Sequence, residues 1–319
     1  AAATRAQEQV LRLKGDAATL EDRIGLLDRM SNKSIALSDS RFGRVRGLVR
    51  TNLQRDVFMA VMSMDLPKPE RRWLFLEPSR TVAELAIWPL TQQLLQRAPM
   101  GDGHPVMVLP GFMAGDSSTG FMRRFLTSRG YETRPWELGR NLGPSSIGRE
   151  GELLARRLED IYRDHGKEKV SLVGWSLGGV LAREVAKQLP DMVRQVVTLG
   201  SPFAGVPETS HAWPLFKLMS GNETKTQDFT DLVAQLAVAP SVPTTSIYTK
   251  TDGVVHWSSS INEEEPHTDN IEVRTAHCAL GFNAPTLYAV ADRLAQPEDE
   301  WRPFHREGWR AFVYPSSGH

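Results

Sequence analysis

From His104 onward, short apolar runs alternate with amphipathic stretches of helical length, and that alternation leaves the chain very few architectures to choose from. Predicted strands are Val106–Leu109, Glu132–Trp136, Val170–Val173, Gln195–Leu199, Thr244–Thr249 and Ile271–Thr275. Between them, helical periodicity predicts helices over about 118–129, 147–165, 178–189 and 284–295. Several of the strands are apolar at nearly every position, as expected when helices cover both faces of a sheet. Strand-helix-strand repetition implies a mainly parallel sheet whose chemistry sits at the carboxyl ends of its strands.

Ahead of this pattern the chain reads as helical. Val10, Leu13, Leu20, Ile24 and Leu27 recur at three- and four-residue steps among charges, and Pro67, Pro69 and Pro78 are expected to break the pattern. The basic run Arg41, Arg44, Arg46 and Arg50, flanked by Asp39 and Asp56, reads as a solvated helix face. Residues 1–100 are therefore expected to form a helical amino-terminal extension and residues 101–315 the α/β domain, with Ser316–His319 as a tag remnant.

Composition narrows the function classes. Lys+Arg and Asp+Glu both number 38 in 319 residues, so the net charge is zero, without the cation surplus that displaces phosphate counterions from a nucleic acid. Cys278 is the sole cysteine, which excludes an intramolecular disulfide, and no spacing of the His-Glu-x-x-His kind marks a metal site. No apolar run reaches the ~18 residues a membrane span requires. The chain opens on Ala1-Ala2-Ala3 without Met, which leaves cytoplasmic and exported locations both open.

The most informative stretch is Val170-Ser-Leu-Val-Gly-Trp-Ser-Leu-Gly-Gly179, a Gly-x-Ser-x-Gly between an apolar strand and a helix. Glycines two residues either side of Ser176 allow a tight strand-to-helix turn that projects the hydroxyl into open space. The helix amino end adds a positive potential beside it. No Lys-Ser/Thr follows the glycines, which removes the phosphate-loop reading.

This segment resembles the nucleophile elbow of the alpha/beta-hydrolase family, and its surroundings, over about residues 104–296, are similar to bacterial lipases and serine esterases. The resemblance implies an alpha/beta-hydrolase fold: a mostly parallel sheet flanked by helices, with a helical cap insert at about 205–242. It implies Ser176 as nucleophile, with oxyanion donors from the N–H groups of Leu177, which follows it, and of Phe112 in Leu109-Pro110-Gly111-Phe112. Pro110 stands where lipases usually have His, and Met113 is the alternative donor.

Chain order in this fold is Ser, acid, His. Of the five later histidines (His211, His256, His267, His277 and His305), His277 follows a predicted strand and precedes a helix, as the base should, with His256 as rival. Asp252 follows the strand before it and is followed by Gly253, which suits the acid; Asp228 and Asp231 read as part of the cap, and Glu263–Glu265 as a solvated loop. Cys278 reads as a small packed residue.

The cap insert is rich in apolar residues, so Trp213 and Phe216, with Trp175 and Met113, are the expected lining of an acyl pocket. The expected activity is hydrolysis of a hydrophobic, uncharged carboxylic ester, small-molecule or lipid, through a covalent acyl-enzyme and without a cofactor. Contact with a lipid interface would be transient. Acyl transfer to an alcohol or thiol, and a catalytically silent binding protein on the same fold, remain alternatives.

Overall fold

In the computed structural model of the chain, residues 68–148, 151–204 and 235–315 are described, all within the unit Met62–His319. Helix α1 (Arg71–Gln96) leads into β1 (Pro105–Leu109), α2 (Asp116–Ser128) and β2 (Glu132–Pro135). There follow α3 (Glu152–Asp164), β3 (Val170–Trp175), α4 (Leu177–Gln188) and β4 (Val193–Leu199). The chain continues through β5 (Thr244–Tyr248) and β6 (Thr268–Glu272) to α5 (Ala284–Leu294).

These strands form one parallel sheet in the order β2-β1-β3-β4-β5-β6. The direction of winding reverses between β1 and β3, and an open parallel sheet leaves its crevice at the carboxyl ends of such a pair. Register sets Leu109 opposite Gly174, so the loop after β1 and the turn after β3 emerge side by side.

The two-residue period of the strands sends alternate side chains to opposite faces. Val106 and Val108 join α2 and α5 in one core with Leu126, Leu287 and Val290, while Met107 and Leu109 join α3 and α4 in another with Leu158 and Val185. The continuous apolar strand runs in the sequence follow from this double coverage.

Three expectations need correction. Pro78 does not break the chain: it lies, with Pro89, inside the 26-residue helix α1. An internal proline removes one helical hydrogen bond, but the turns around it are anchored to the sheet domain by Glu77, Arg80 and Glu84. The last strand ends at Glu272, not Thr275, because the Thr275 carbonyl and hydroxyl are taken by Thr249, Arg80 and Glu84 and not by a strand ladder. The helix expected over 147–165 begins only at Glu152; Gly148 and Gly151, at φ +90° and +82°, separate it from a single turn at Pro144–Ile147.

Among the described residues, no helix is long and apolar enough to cross a membrane. Residues of the expected cap insert between 205 and 234, including Trp213, Phe216, His211, Asp228 and Asp231, lie outside the described residues, as do residues 1–67 and Ser316–His319.

Candidate active site

Ser176 sits between β3 and α4 at φ +54°, ψ −122°, a region that non-glycine residues occupy only when their surroundings force them to. The forcing is visible. Its N–H donates to Leu199 O at the end of β4 (2.8 Å), and the backbone on either side is pinched into contact. A Cβ on Gly178 would fall 2.5 Å from the carbonyl oxygens of Leu109 and Pro110, and one on Gly174 would run into the backbone of Gly178 and Gly179. Leu177 opens α4, so its N–H belongs to the first helical turn, where no carbonyl four residues earlier is available to it.

The loop after β1 lies against this turn. A Cβ on Gly111 would be 3.4 Å from the Ser176 Cβ and from Trp175 O. Next along, Phe112 is half-buried and Met113 is exposed, at φ +61°. The alternative donor is already engaged, since Met113 N–H donates to Asn141 O (2.7 Å). Asn141 also donates from its main chain to Ala114 O (2.8 Å) and from Nδ2 to Pro110 O (2.8 Å), and it is wholly buried. This is the brace for a loop that has Pro110 in place of the usual His, and sequence reading missed it.

The segments that follow β5 and β6 bring Asp252 and His277 together. Asp252 follows β5; its Oδ1 accepts from the N–H groups of Val254 (2.8 Å) and Val255 (2.7 Å). Its Oδ2 accepts from His277 Nδ1 at 2.6 Å, and both residues are 5% exposed. A carboxylate only accepts, so the proton is on Nδ1 and the Nε2 lone pair is left for chemistry. Burial disfavours the imidazolium, but the charge and hydrogen bond of Asp252, with Glu77 behind it, outweigh that and raise the His277 pKa above its ordinary value.

The pair lies beside the Ser176 turn. The Trp175 indole donates to His277 O (3.2 Å), and its ring packs on Gly281 of the same loop. Gly200, at φ +53° and one residue beyond the Leu199 carbonyl that holds Ser176, has room for no side chain. A Cβ there would lie 3.1 Å from His277 Nδ1 and 3.2 Å from Asp252 Oδ2.

Other sequence candidates have local tasks. His256 caps a short turn through Ser258 and lies tilted beside the Trp257 ring. His267 bonds Pro240 O, and Glu263–Glu265 are exposed. Cys278, expected to be packed, is exposed in the tight turn His277–Ala279, whose other two residues are buried.

Another serine, bonded directly to a His–Asp pair, lies at the opposite, amino edge of the sheet. His104 bonds Asp102 through Nδ1 and Ser171 Oγ through Nε2 (2.8 Å). Ser171 and His104 are wholly buried, and Arg194 pairs with Asp102 (2.8 Å), so the group reads as an internal polar strut between β1 and β3. Burial is the main influence on His104 and keeps its pKa below the usual imidazole value.

Residues 130–224, spanning β2 to the region after β4, match the family model described as the alpha/beta hydrolase fold. Similar solved structures include Aspergillus fumigatus lipase B (18% identity, 61% of this chain and 53% of that one, TM-score 0.47). This chain thus spans about half of that lipase. Others are an alpha/beta hydrolase enzyme from the metagenome of sediments of the Mar Chica lagoon, Morocco (23% identity, 60% and 90%, TM-score 0.42), and the Paleococcus ferrophilus monoacylglycerol lipase (15% identity, 61% and 96%, TM-score 0.45). The parallel sheet, the strained serine turn at its switch point and the family match make this chain an alpha/beta-hydrolase-fold protein.

Proposed function

We propose that the chain is a serine hydrolase of carboxylic esters, with Ser176 as nucleophile, His277 as general base and acid, and Asp252 as the group that orients the imidazole. The observation behind this reading is the buried His277–Asp252 pair packed against Gly200, next to the carbonyl that holds the Ser176 turn.

The proposed steps use those positions. His277 Nε2 takes the Ser176 hydroxyl proton as Oγ bonds the ester carbonyl carbon, and the carbonyl electrons move onto oxygen. The N–H groups of Phe112 and Leu177 receive that oxyanion; one such donor typically contributes about 2.7–4 kcal/mol. Collapse expels the alcohol oxygen, which takes the proton from His277 and leaves Ser176 acylated. Water then repeats the sequence and releases the acid.

Trp175, Phe112 and Met113 border the turn with apolar surface, which favours a hydrophobic, uncharged acyl or alcohol group. The test is a fluorophosphonate probe with peptide mapping, alongside p-nitrophenyl esters from acetate to palmitate. Stoichiometric label on Ser176 and turnover within the series are expected. A folded protein that shows neither would end the proposal.

A further inference from the structure

We infer that Glu77, on α1, is a positioning residue for the His277–Asp252 pair, so that the helix preceding the α/β domain is part of the active-site architecture. The inference rests on the serine-hydrolase reading above.

Glu77 is 4% exposed, although it lies in a helix whose outer residues, among them Phe75, Val82 and Leu90, face solvent. Burying a carboxylate is costly unless donors surround it, and here three main-chain donors do. Oε1 accepts from Gly253 N–H (2.9 Å) and His277 N–H (3.0 Å), and Oε2 accepts from Cys278 N–H (3.1 Å). These belong to the residue after the acid, the base itself and the residue after the base. One side chain therefore ties together the two loops whose separation sets the His277–Asp252 bond.

The same helix face continues the clamp. Positions 77, 80 and 84 share one side of an α-helix. Arg80 donates to Thr251 O (2.7 Å), Thr251 Oγ1 (2.6 Å) and Thr275 O (2.5 Å), and Glu84 accepts from Thr275 Oγ1 (3.1 Å) and Asn283 Nδ2 (2.9 Å). Contact is close enough to dictate sequence: a Cβ on Gly253 would lie 2.5 Å from the Trp73 carbonyl carbon.

Glu77 also acts through charge. The groups facing His277 and its loop are Asp252, Glu77, Cys278, Arg80 and Glu84, with His256 beyond Asp252. Within that set Glu77 adds to Asp252 in favouring the imidazolium, against burial. Removing its charge lowers the base's affinity for a proton.

The experiment compares Glu77→Gln, Glu77→Asp and Glu77→Ala with the parent in ester turnover across pH, fluorophosphonate labelling rate and thermal melting. Glu77→Gln, nearly isosteric, is expected to move the acid limb of kcat/KM down by about 0.5–1 pH unit. Glu77→Asp, which keeps the charge but not the reach, should leave the limb in place and lower kcat. Glu77→Ala should lose roughly 10- to 100-fold in kcat with little change in KM. A folded Glu77→Gln protein with the parent's limb and plateau overturns the inference alone. So does a Glu77→Gln protein that cannot fold, because the carboxylate then serves the fold as a whole. A folded parent that neither labels nor turns over esters overturns the hydrolase reading, and this inference with it.

Discussion

His277 Nδ1 and Asp252 Oδ2 lie 2.6 Å apart in a setting almost closed to solvent, while the other Asp252 oxygen is fixed by two backbone N–H groups. With both oxygens committed, the carboxylate has little freedom to turn, and the imidazole is left with one tautomer. Asp252→Asn would put an amide where an acceptor is needed: either its NH2 faces His277, which reverses the tautomer, or it faces the N–H groups of Val254 and Val255. A fall of roughly 10³- to 10⁴-fold in kcat is expected with the fold retained. Near-normal turnover would move the acid to another carboxylate.

Ser176 pays a conformational cost for its exposure, and that cost can be measured. At φ +54° and ψ −122° the strain is on the order of 1–3 kcal/mol, which glycine would escape, less the ~0.5–1 kcal/mol of extra chain entropy glycine loses on folding. Ser176→Gly should therefore melt at or above the parent temperature while losing fluorophosphonate labelling and ester turnover. Ser176→Ala should lose the same activities and melt within about 0.5 kcal/mol of the parent. A large loss of stability in Ser176→Gly would mean that the hydroxyl supports the turn and does not merely stand on it.

The acid limb of kcat/KM should lie above the ordinary imidazole range. Burial alone would push it down; the charge and hydrogen bond of Asp252, aided by Glu77, push it up and win. The base works only when unprotonated, so a raised pKa shifts the onset of activity to higher pH. A pH–rate profile of kcat/KM on a slow ester measures it directly. A limb at or below the ordinary value, with chemistry limiting, would show that burial dominates and that the pair is not coupled as its geometry requires.

What sequence revealed and what it hid divide along contact distance. The serine turn was legible because its constraint is local: a strand, glycines two residues either side, then a helix. Asp252 and His277 stand out in the sequence through the resemblance and their places after strands, and their side chains meet at 2.6 Å. The brace of the Phe112 loop by Asn141 joins positions 31 residues apart, and the Glu77 bonds reach across 176 and 200 residues. No periodicity encodes such pairs. Pro78 misled for the same reason, since local propensity predicts a break where distant hydrogen bonds hold a helix. The shifted end of β6 reflects Thr275, whose partners on α1 and after β5 compete with strand pairing.

Asn141 supplies a prediction that separates loop support from substrate binding. Its side chain donates to Pro110 O and accepts from Gly143 N–H (3.1 Å), while its backbone bonds Met113 and Ala114. Asn141→Ala keeps the backbone bonds but frees the Pro110 carbonyl, and the position of the Phe112 N–H becomes less defined. About a tenfold loss in kcat with KM nearly unchanged is expected, with a stability loss of about 1–3 kcal/mol from the unpaired buried carbonyl. An equal rise in KM with kcat intact would place Asn141 in substrate binding instead.

Ser171 tests whether position, and not residue identity, decides which serine reacts. It has an imidazole at 2.8 Å, and that imidazole has a carboxylate partner, yet both Ser171 and His104 are wholly buried at the amino edge of the sheet. A nucleophile there has no approach for an ester. Ser171→Ala leaves His104 Nε2 without its partner, and a buried polar group so stranded typically costs about 1–3 kcal/mol. The variant should melt lower by that amount, while ester turnover per folded molecule and fluorophosphonate labelling stay at the parent level. Loss of labelling in a folded Ser171→Ala protein would reassign the nucleophile to the wrong edge of the sheet for this fold, and the roles given to Ser176, Asp252 and His277 would fall together.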